Sequence, residues 1–198
     1  MRTLVIGDIH GQYEALYSVL LKSGFRNQEE RLIVLGDIYD GVNPECCIDF
    51  LFTIKHLVCV MGNHDQAVMD AGIREGISDR YISFIDGMRP YFEENGLLFI
   101  HGGFDPRKPF AMQDIYDFNG SRTLPHMGWE AHQRGEDFIV GGFNEVYVGH
   151  TRTQIYGFFQ PLKLGNLWMM DTGAAPGCGG YLSVMDIKTK EFWQVKCS

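Results

Sequence analysis

Six short apolar runs in this chain each lead into a glycine beside an Asp, Asn or His, and this pattern constrains the fold more than any other feature. The segments are GDIHG (7–11), GDIYDG (36–41), GNHD (62–65), HGG (101–103), GHT (149–151) and DTG (171–173). Glycine makes up 24 of the 198 residues, well above the usual share of about 7%. Because sites gather at the carboxyl ends of strands in α/β sheets, the pattern predicts a polar site along one sheet edge.

The first half of the chain alternates between strands and helices, which is typical of an α/β unit with a parallel sheet. The second half is dominated by strands and carries a hairpin signal at Asn95-Gly96. We expect one domain over residues 1–198, with a parallel first half, an antiparallel second half and two sheets facing each other. The predicted strands are 4–6, 32–35, 57–61, 97–100, 146–148, 154–158, 167–170, 181–187 and 192–195. The predicted helices are 13–24, 43–55, 65–74 and 79–85, with a looser helical region at 114–134 and turns at 165–166 and 188–190.

Charge and composition exclude several classes of function. The net charge is −8 and no cluster of Lys and Arg stands out, so we expect no nucleic-acid partner. No apolar run reaches about 18 residues, and the N-terminus reads as a buried strand instead of a signal peptide, so we expect no membrane association. Five cysteines without a Cys-x-x-Cys spacing indicate reduced thiols and a cytoplasmic location. The oligomeric state is left open.

The polar residues that follow the apolar runs suit a site for metal ions. Asp8 and His10 lie two apart on what we expect to be extended chain, so both can reach one ion, and Asp37 can bridge two ions. Mixed oxygen and nitrogen donors favour Mn, Fe, Zn or Co over Ca or Mg, and two such ions can bind a phosphoryl oxygen. We interpret the DTG triplet at 171–173 as a turn. The candidate ligands are Asp8, His10, Asp37, Asn63, His101 and His150.

The ordered set GDIHG, GDIYDG, GNHD, HGG and GHT resembles the calcineurin-like metallophosphoesterase superfamily. Within it, the chain is similar to the phosphoprotein phosphatase branch of bacterial and bacteriophage type, which includes the symmetrical diadenosine tetraphosphate hydrolases that share GNHD. The motifs run from residue 7 to residue 173, which is nearly the whole chain. The resemblance implies a four-layer α/β sandwich of two facing mixed β-sheets flanked by helices, with a dinuclear centre at one edge.

The resemblance also implies a role for each motif residue. Asp8 and His10 would bind the first metal ion, and Asp37 would bridge both ions. The implied reaction is in-line attack of a metal-bridging hydroxide on phosphorus, with His64 as general acid oriented by Asp40. Two divalent ions, Mn in the first place with Fe, Zn or Co as alternatives, are the implied cofactor. The second ion would be held by Asn63, His101 and His150.

One family feature is missing from the chain. The family's second motif usually reads Asp-Arg-Gly, and its arginine binds the substrate phosphate, whereas Asp40 is followed here by Gly41 and Val42. Gly41→Arg is expected to restore this contact and lower the Michaelis constant. A second arginine usually lies between HGG and GH, where Arg122 is the preferred candidate. The other phosphate-binding candidates are Arg107, Arg134, Arg152 and the amide of Asn63.

Three functions remain open on this basis. The first is a phosphomonoesterase, with phosphoserine or phosphothreonine proteins as candidate substrates. The second is a hydrolase of dinucleoside polyphosphates, and the third is a weakly active metal-binding scaffold. A nucleobase could stack on an aromatic ring of the second half, although core packing is the more ordinary role of these rings. The aromatic residues concerned are Phe104, Phe110, Tyr116, Phe118, Trp129, Phe143 and Tyr156.

Overall fold

The computed structural model describes residues 1–70 and 76–197 and contains two five-stranded β-sheets. The first sheet has the order β10-β9-β1-β2-β3. In it, β1, β2 and β3 pair in parallel, whereas β9 runs antiparallel to both β1 and β10. The bounds of its strands are β1 Thr3–Ile6, β2 Arg31–Val34, β3 His56–Cys59, β9 Tyr181–Asp186 and β10 Phe192–Lys196.

The second sheet is also mixed and has the order β4-β5-β6-β8-β7. Its three central strands, β5, β6 and β8, pair in parallel, and the edge strands β4 and β7 pair antiparallel to their neighbours. The prediction of an antiparallel second half is therefore wrong for the centre of this sheet. The bounds are β4 Tyr91–Glu94, β5 Leu97–Ile100, β6 Glu145–Val148, β7 Leu162–Leu164 and β8 Leu167–Met169.

Helices cover the outer faces of the two sheets, so the predicted four-layer α/β sandwich is confirmed. The helices are α1 Tyr13–Ser23, α2 Pro44–Leu51, α3 Asn63–Asp70, α4 Asp79–Asp86, α5 Ile115–Gly120 and α6 Thr123–Gln133. The α1 helix ends at Gly24 in the left-handed conformation, as a glycine C-cap requires. The predicted helix over 65–74 begins earlier, at Asn63, and its residues 71–74 lie outside the described residues. In the part of the chain that is described, no helix is both long and apolar enough to cross a bilayer.

The two sheets face each other across a shared apolar layer. Val5 and Ile33 from the first sheet are fully buried against Phe99 and Tyr147 from the second. The rings of Phe99 and Tyr147 stack with centroids 4.9 Å apart. Each side chain of this size contributes about 1.5–3 kcal/mol when fully buried, so this layer holds the sheets together. Separate apolar clusters lie between each sheet and its helices.

Residues 154–158, predicted as a strand, form no strand. The chain there makes a 3₁₀ helix over Thr153–Tyr156 and turns at Gly157, whose φ is +86°. The backbone N–H of Phe158 closes this turn on the carbonyl of Thr153, and the buried Thr153 N–H donates to the carbonyl of Asp171. These tertiary contacts override the β-propensity of the Ile155 and Tyr156 side chains.

Candidate metal centre

The polar residues of the six motifs lie where parallel strands of both sheets end. The loops after β1, β2 and β3 meet the loops after β5, β6 and β8 at one edge of the sandwich, and a cavity of about 220 Å³ opens there. The sequence-based expectation of one polar edge therefore matches the observed geometry. The residues that line the cavity are Asp8, His10, Asp37, Asn63, His64, Arg122, His150, Arg152, Asp171, Ala175 and Cys178.

Asp8, His10 and Asp37 form the first potential ligand group. One ligand atom from each lies within 4.8 Å of the others. His10 Nε2 is 4.0 Å from Asp8 Oδ2 and 3.8 Å from Asp37 Oδ2. The sequence predicts extended backbone between Asp8 and His10. This prediction is wrong at His10, whose φ is +48°. The turn, and not an extended strand, brings the imidazole to the carboxylates.

Asp37, His101 and His150 form the second potential ligand group, which shares the Asp37 carboxylate with the first. His101 Nε2 lies 3.4 Å from Asp37 Oδ1 and 3.2 Å from Asn63 Oδ1. The rings of His101 and His150 have centroids 5.1 Å apart. Asn63 therefore lies beside this group, and the two oxygens of Asp37 face different groups.

Backbone carbonyls orient two of these imidazoles. His101 Nδ1 is 2.6 Å from the carbonyl oxygen of Leu35, and His150 Nε2 is 3.2 Å from that of Gly120. Because a carbonyl only accepts, each of these nitrogens carries the proton. When a ring is neutral, this leaves Nε2 of His101 or Nδ1 of His150 with a lone pair for a metal ion, which is how a neighbouring carbonyl prepares a histidine to be a ligand.

Glycines allow the loops to approach this closely. A Cβ on Gly62 would overlap the carboxylate of Asp37, and one on Gly149 would overlap that of Asp8. Three residues of the site, His10, Asp37 and His150, have positive φ angles of 48–58°. Non-glycine residues rarely adopt this conformation, and such strain concentrates at functional sites.

His64 and Asp40 form a pair next to the first group. His64 Nδ1 lies 2.8 Å from Asp40 Oδ2, while the other oxygen of Asp40 lies 2.7 Å from His10 Nδ1. The hydrogen bond to Asp40 raises the pKa of His64 against the opposing effect of partial burial. With Nδ1 turned to Asp40, His64 presents its Nε2 to the cavity, 3.9 Å from Asp37.

Burial and charge shift the other titratable groups strongly. Burial and then the charge of Asp171 raise the pKa of Asp8. Burial would also raise the pKa of Asp37, but the charge and hydrogen bond of His101 hold it well below its usual range. Burial lowers the pKa of His150 to about 3, with a further contribution from the charge of His101. His150 is therefore neutral at pH 7 and has a lone pair to give.

The arginines predicted to bind phosphate divide into two pairs. Arg122 and Arg152 line the cavity, and Arg122 is held by the carbonyl of His150 at 2.7 Å. Arg152 donates to the Cys178 sulfur at 2.8 Å. Arg107 and Arg134 do not line the cavity and are paired with nearby carboxylates at the surface.

Gly41 cannot take the arginine that the family has next to Asp40. Its φ is +78°, and a Cβ there would overlap the carbonyl oxygen of His10. The expectation that Gly41→Arg restores a phosphate contact is therefore wrong on steric grounds. The arginines available to this site are Arg122 and Arg152, which line the cavity.

Most of the candidate stacking aromatics have other partners. Phe104, Phe110, Phe118 and Phe143 pack on one another within the second sheet's outer core. Trp129 and Tyr156 stack on each other with centroids 4.7 Å apart, and the exposed Tyr116 bonds Asp70. None of the seven lines the cavity, so ordinary packing accounts for them.

A larger cavity, of about 440 Å³, lies at another edge of the sandwich but lacks this chemistry. Its two arginines are already neutralised, Arg2 by Glu30 and Asp186 and Arg31 by Glu94. No histidine is among the described residues that line it. The smaller, histidine-rich cavity is therefore the candidate functional site.

The donors at this site fit a pair of divalent ions. Each group offers carboxylate oxygen together with imidazole nitrogen, and the shared Asp37 carboxylate lies between them. Mixed oxygen and nitrogen donors suit first-row transition metals, in particular Mn, Fe, Co and Zn. Sequence reasoning found each member of both groups, but it treated Asp171 only as a turn and did not single out Cys178.

The chain belongs to the calcineurin-like phosphoesterase family, whose model matches residues 1–170. The family is dinuclear and metal-dependent, and the Asp and His cluster described above can bind metals. The resemblance identified from the motifs is thereby confirmed.

Curated relatives share part of the chain. A protein named symmetrical bis(5'-nucleosyl)-tetraphosphatase from Pseudomonas putida is 29% identical over 127 residues, covering 54% of this chain and 44% of its own length. The protein of that name from Methylobacillus flagellatus is 28% identical over 158 residues, covering 70% of this chain and 53% of its own length. The matching part of the chain thus spans about half the length of these relatives.

Solved structures share the fold across the whole chain. A crystal structure described as a candidate diadenosine tetraphosphatase superposes with a TM-score of 0.76 at 17% identity, covering all of this chain and 94% of the other. A protein serine/threonine phosphatase from Saccharomyces cerevisiae gives a TM-score of 0.63 at 13% identity, covering all of this chain and 80% of the other. At such identities the comparison establishes the fold.

Proposed function

We propose that the chain is a metal-dependent hydrolase of phosphate esters or anhydrides that works with two divalent ions. The observation that carries this proposal is the Asp37 carboxylate, which belongs to two of the three potential ligand groups; the third consists of His10, Asp40 and His64. Asp8, His10 and Asp37 would hold one ion. Asp37, Asn63, His101 and His150 would hold the other, and Mn is the metal we propose, with Fe, Zn or Co as alternatives.

The chain's own residues would bind the substrate phosphate, orient the general acid and deliver a proton to the leaving oxygen. When bound, the two ions supply Lewis-acid activation of water and neutralise charge at phosphorus. Arg122 and Arg152 bind phosphate oxygens from one wall of the cavity. His64 delivers a proton from Nε2 to the leaving oxygen, because its Nδ1 is bonded to Asp40. The Asn63 amide can contribute a further hydrogen bond to the substrate.

Dinucleoside polyphosphates are the substrate class that we propose first. The relatives named symmetrical bis(5'-nucleosyl)-tetraphosphatase support this class. Two arginines in one cavity give positive charge for more than one phosphate group. Phosphomonoesters, including phosphoserine and phosphothreonine, are the second candidate, since the same residues would cleave them.

A manganese-loaded activity panel tests both substrate classes. It compares diadenosine tetraphosphate, p-nitrophenyl phosphate, its bis ester and a phosphothreonine peptide at equal concentration. We expect the tetraphosphate to give the highest kcat/KM, with ADP as the product of symmetrical cleavage. Faster cleavage of the phosphopeptide would make the phosphomonoester class the correct one.

An Asp37→Asn variant tests the centre itself, with Asp105→Asn as a control that changes a carboxylate outside the cavity. We expect the first variant to lose activity on every substrate and to bind less manganese, and the control to retain both. A wild-type protein that binds manganese without cleaving any member of the panel would favour a scaffold role.

A further inference from the structure

Asp171 is a buried carboxylate of the cavity to which none of the roles above has been given. It lies two residues after the end of β8, is 4% exposed and lines the same cavity as Asp8, His10 and Asp37. The charged groups that act on it most strongly are His10, Asp37 and His101, and its own charge acts on Asp8. It therefore lies within the electrostatic field of both ligand groups.

A close approach between the two sheets places Asp171 there. A Cβ on Gly7 would overlap the carbonyl of Met170 and would lie 3.3 Å from the backbone nitrogen of Asp171. Only glycine at position 7 allows the ends of β1 and β8 to pass this closely. Asp8 and Asp171 each come directly after this contact, so two carboxylates enter the cavity side by side.

Among the described residues, Asp171 has no Lys or Arg partner. One oxygen, Oδ1, accepts the backbone N–H of Gly173 at 2.9 Å. Across residues 1–70 and 76–197, no salt bridge to Lys or Arg and no second hydrogen bond to this carboxylate is found. A buried carboxylate is costly unless it is paired or lies near a metal ion, so the second oxygen calls for a cation or a polarised donor.

Asp171 stands just outside the two ligand groups. Its carboxylate is not among the atoms that lie within 4.8 Å of one another in either group. A carboxylate that lies outside the ligand groups but in the same cavity can act on a bound ion through its charge, and removing an outer partner of a metal site typically costs 10–100-fold in affinity.

We propose that Asp171 is a positioning residue of the metal centre, whose carboxylate would stabilise, through its charge and its free hydrogen-bond acceptor oxygen, the ion that Asp8, His10 and Asp37 would hold. Its negative charge also raises the affinity of this group for a divalent cation. The inference rests on the metal centre proposed above and extends it by one residue.

The test is Asp171→Asn, because the amide oxygen can still accept the Gly173 N–H while the charge is removed. Asp186→Asn is a matched control. Asp186 is also buried and accepts the backbone N–H of Lys188, two residues on, at 2.8 Å, but it is paired with Arg2 and lines the other cavity. Titration calorimetry with manganese chloride on the metal-free proteins measures the number of manganese ions bound and the affinity of each ion site.

We expect wild type and Asp186→Asn to bind two manganese ions alike. In Asp171→Asn, one of the two ions should bind about 10–100-fold more weakly. The melting temperature of the metal-free Asp171→Asn protein should be no lower than that of the wild type, because an unbalanced buried charge is gone. A structural role alone would lower this temperature and leave the manganese affinities alike.

Two results would overturn the inference, and they separate it from the proposed function. If wild type binds two ions and Asp171→Asn binds both as tightly, Asp171 has no part in the centre, while the proposed function stands. If wild type binds no manganese or other divalent transition metal, the centre itself fails and the inference fails with it.

Discussion

The Asp40 carboxylate joins His64 to His10, lying 2.8 Å from Nδ1 of the first and 2.7 Å from Nδ1 of the second. One residue thus fixes the ring of the proposed general acid and the ring of a proposed metal ligand. The two imidazoles stand edge to face with centroids 5.2 Å apart. A change at Asp40 should therefore affect both proton transfer and metal binding.

Replacing His64 with Asn should lower the rate most for substrates whose leaving oxygen needs a proton. We expect kcat for diadenosine tetraphosphate or an alkyl phosphate to fall by about 10²–10⁴-fold, the usual contribution of general acid catalysis. The fall should be much smaller for p-nitrophenyl phosphate, because its leaving group is stable without a proton. Steady-state kinetics with both kinds of substrate measure this difference.

His126→Asn is the control for this variant, since His126 is exposed and contacts Tyr156 instead of the cavity. It should retain the wild-type rate on both substrates. Loss of manganese from the His64→Asn protein would show that His64 is a ligand and that the acid has been assigned to the wrong residue.

Replacing Asp40 with Asn should move the alkaline limb of the pH–rate profile to lower pH. The hydrogen bond to Asp40 raises the pKa of His64, and an acid is competent only below its pKa. Wild type should therefore stay active to higher pH than Asp40→Asn on a substrate with a poor leaving group. The profile of kcat from pH 6 to pH 10, with manganese saturating, measures the shift, and coincident alkaline limbs would contradict it.

Replacing Gly41 with Arg should damage the site instead of improving phosphate binding. The positive φ and the overlap with the carbonyl of His10 force the loop to move. We expect a lower melting temperature and weaker manganese binding. Gly141→Arg is the control, because a Cβ there meets open space at an ordinary φ. A lower Michaelis constant for Gly41→Arg with unchanged metal binding would refute this steric argument.

Asp186 should contribute stability at neutral pH that is lost in acid. Burial opposes its ionisation, but the N–H groups of Thr189 and Lys188 and the charge of Arg2 lower its pKa. A lowered folded-state pKa gives stability above the unfolded value of about 3.9, and this stability disappears as the pH falls through the folded-state pKa.

The corresponding measurement is urea unfolding of wild type and Asp186→Asn. We expect the variant to be about 1.5–3 kcal/mol less stable at pH 7, the range for hydrogen bonds to a charged group. The difference should shrink as the pH is lowered below about 4. A difference that stays constant down to pH 2 would mean that the charge of Asp186 contributes nothing.

Strand ends and their polar residues were predictable because the signals are local. An apolar run closed by a glycine marks where a strand stops, and the runs before Asp8, Asp37 and His150 do end within a residue or two of the predicted positions. The predicted turn at 165–166 likewise joins β7 to β8. The strand β7 itself was missed, because three residues carry too little periodic pattern.

Strand direction and the 3₁₀ helix at Thr153–Tyr156 were not predictable from local pattern. Parallel pairing of β5 with β6 and of β6 with β8 joins residues 48 and 21 positions apart, and a sequence window does not contain such partners. The 3₁₀ helix likewise depends on a long-range contact, the hydrogen bond from the Thr153 N–H to the carbonyl of Asp171.

The sequence by itself determined the family, the sandwich fold and the set of candidate donor residues, since these depend on residue types in a fixed order. Only the tertiary structure decided that Asp37 faces two donor groups, that Arg122 and Arg152 line the same cavity, and that Gly41 leaves no room for an arginine. It also brought Asp171 beside Asp8 through the contact at Gly7. These contacts depend on how the strand ends of the two sheets pack against each other. The spacing of motifs along the sequence does not specify the distances between those strand ends.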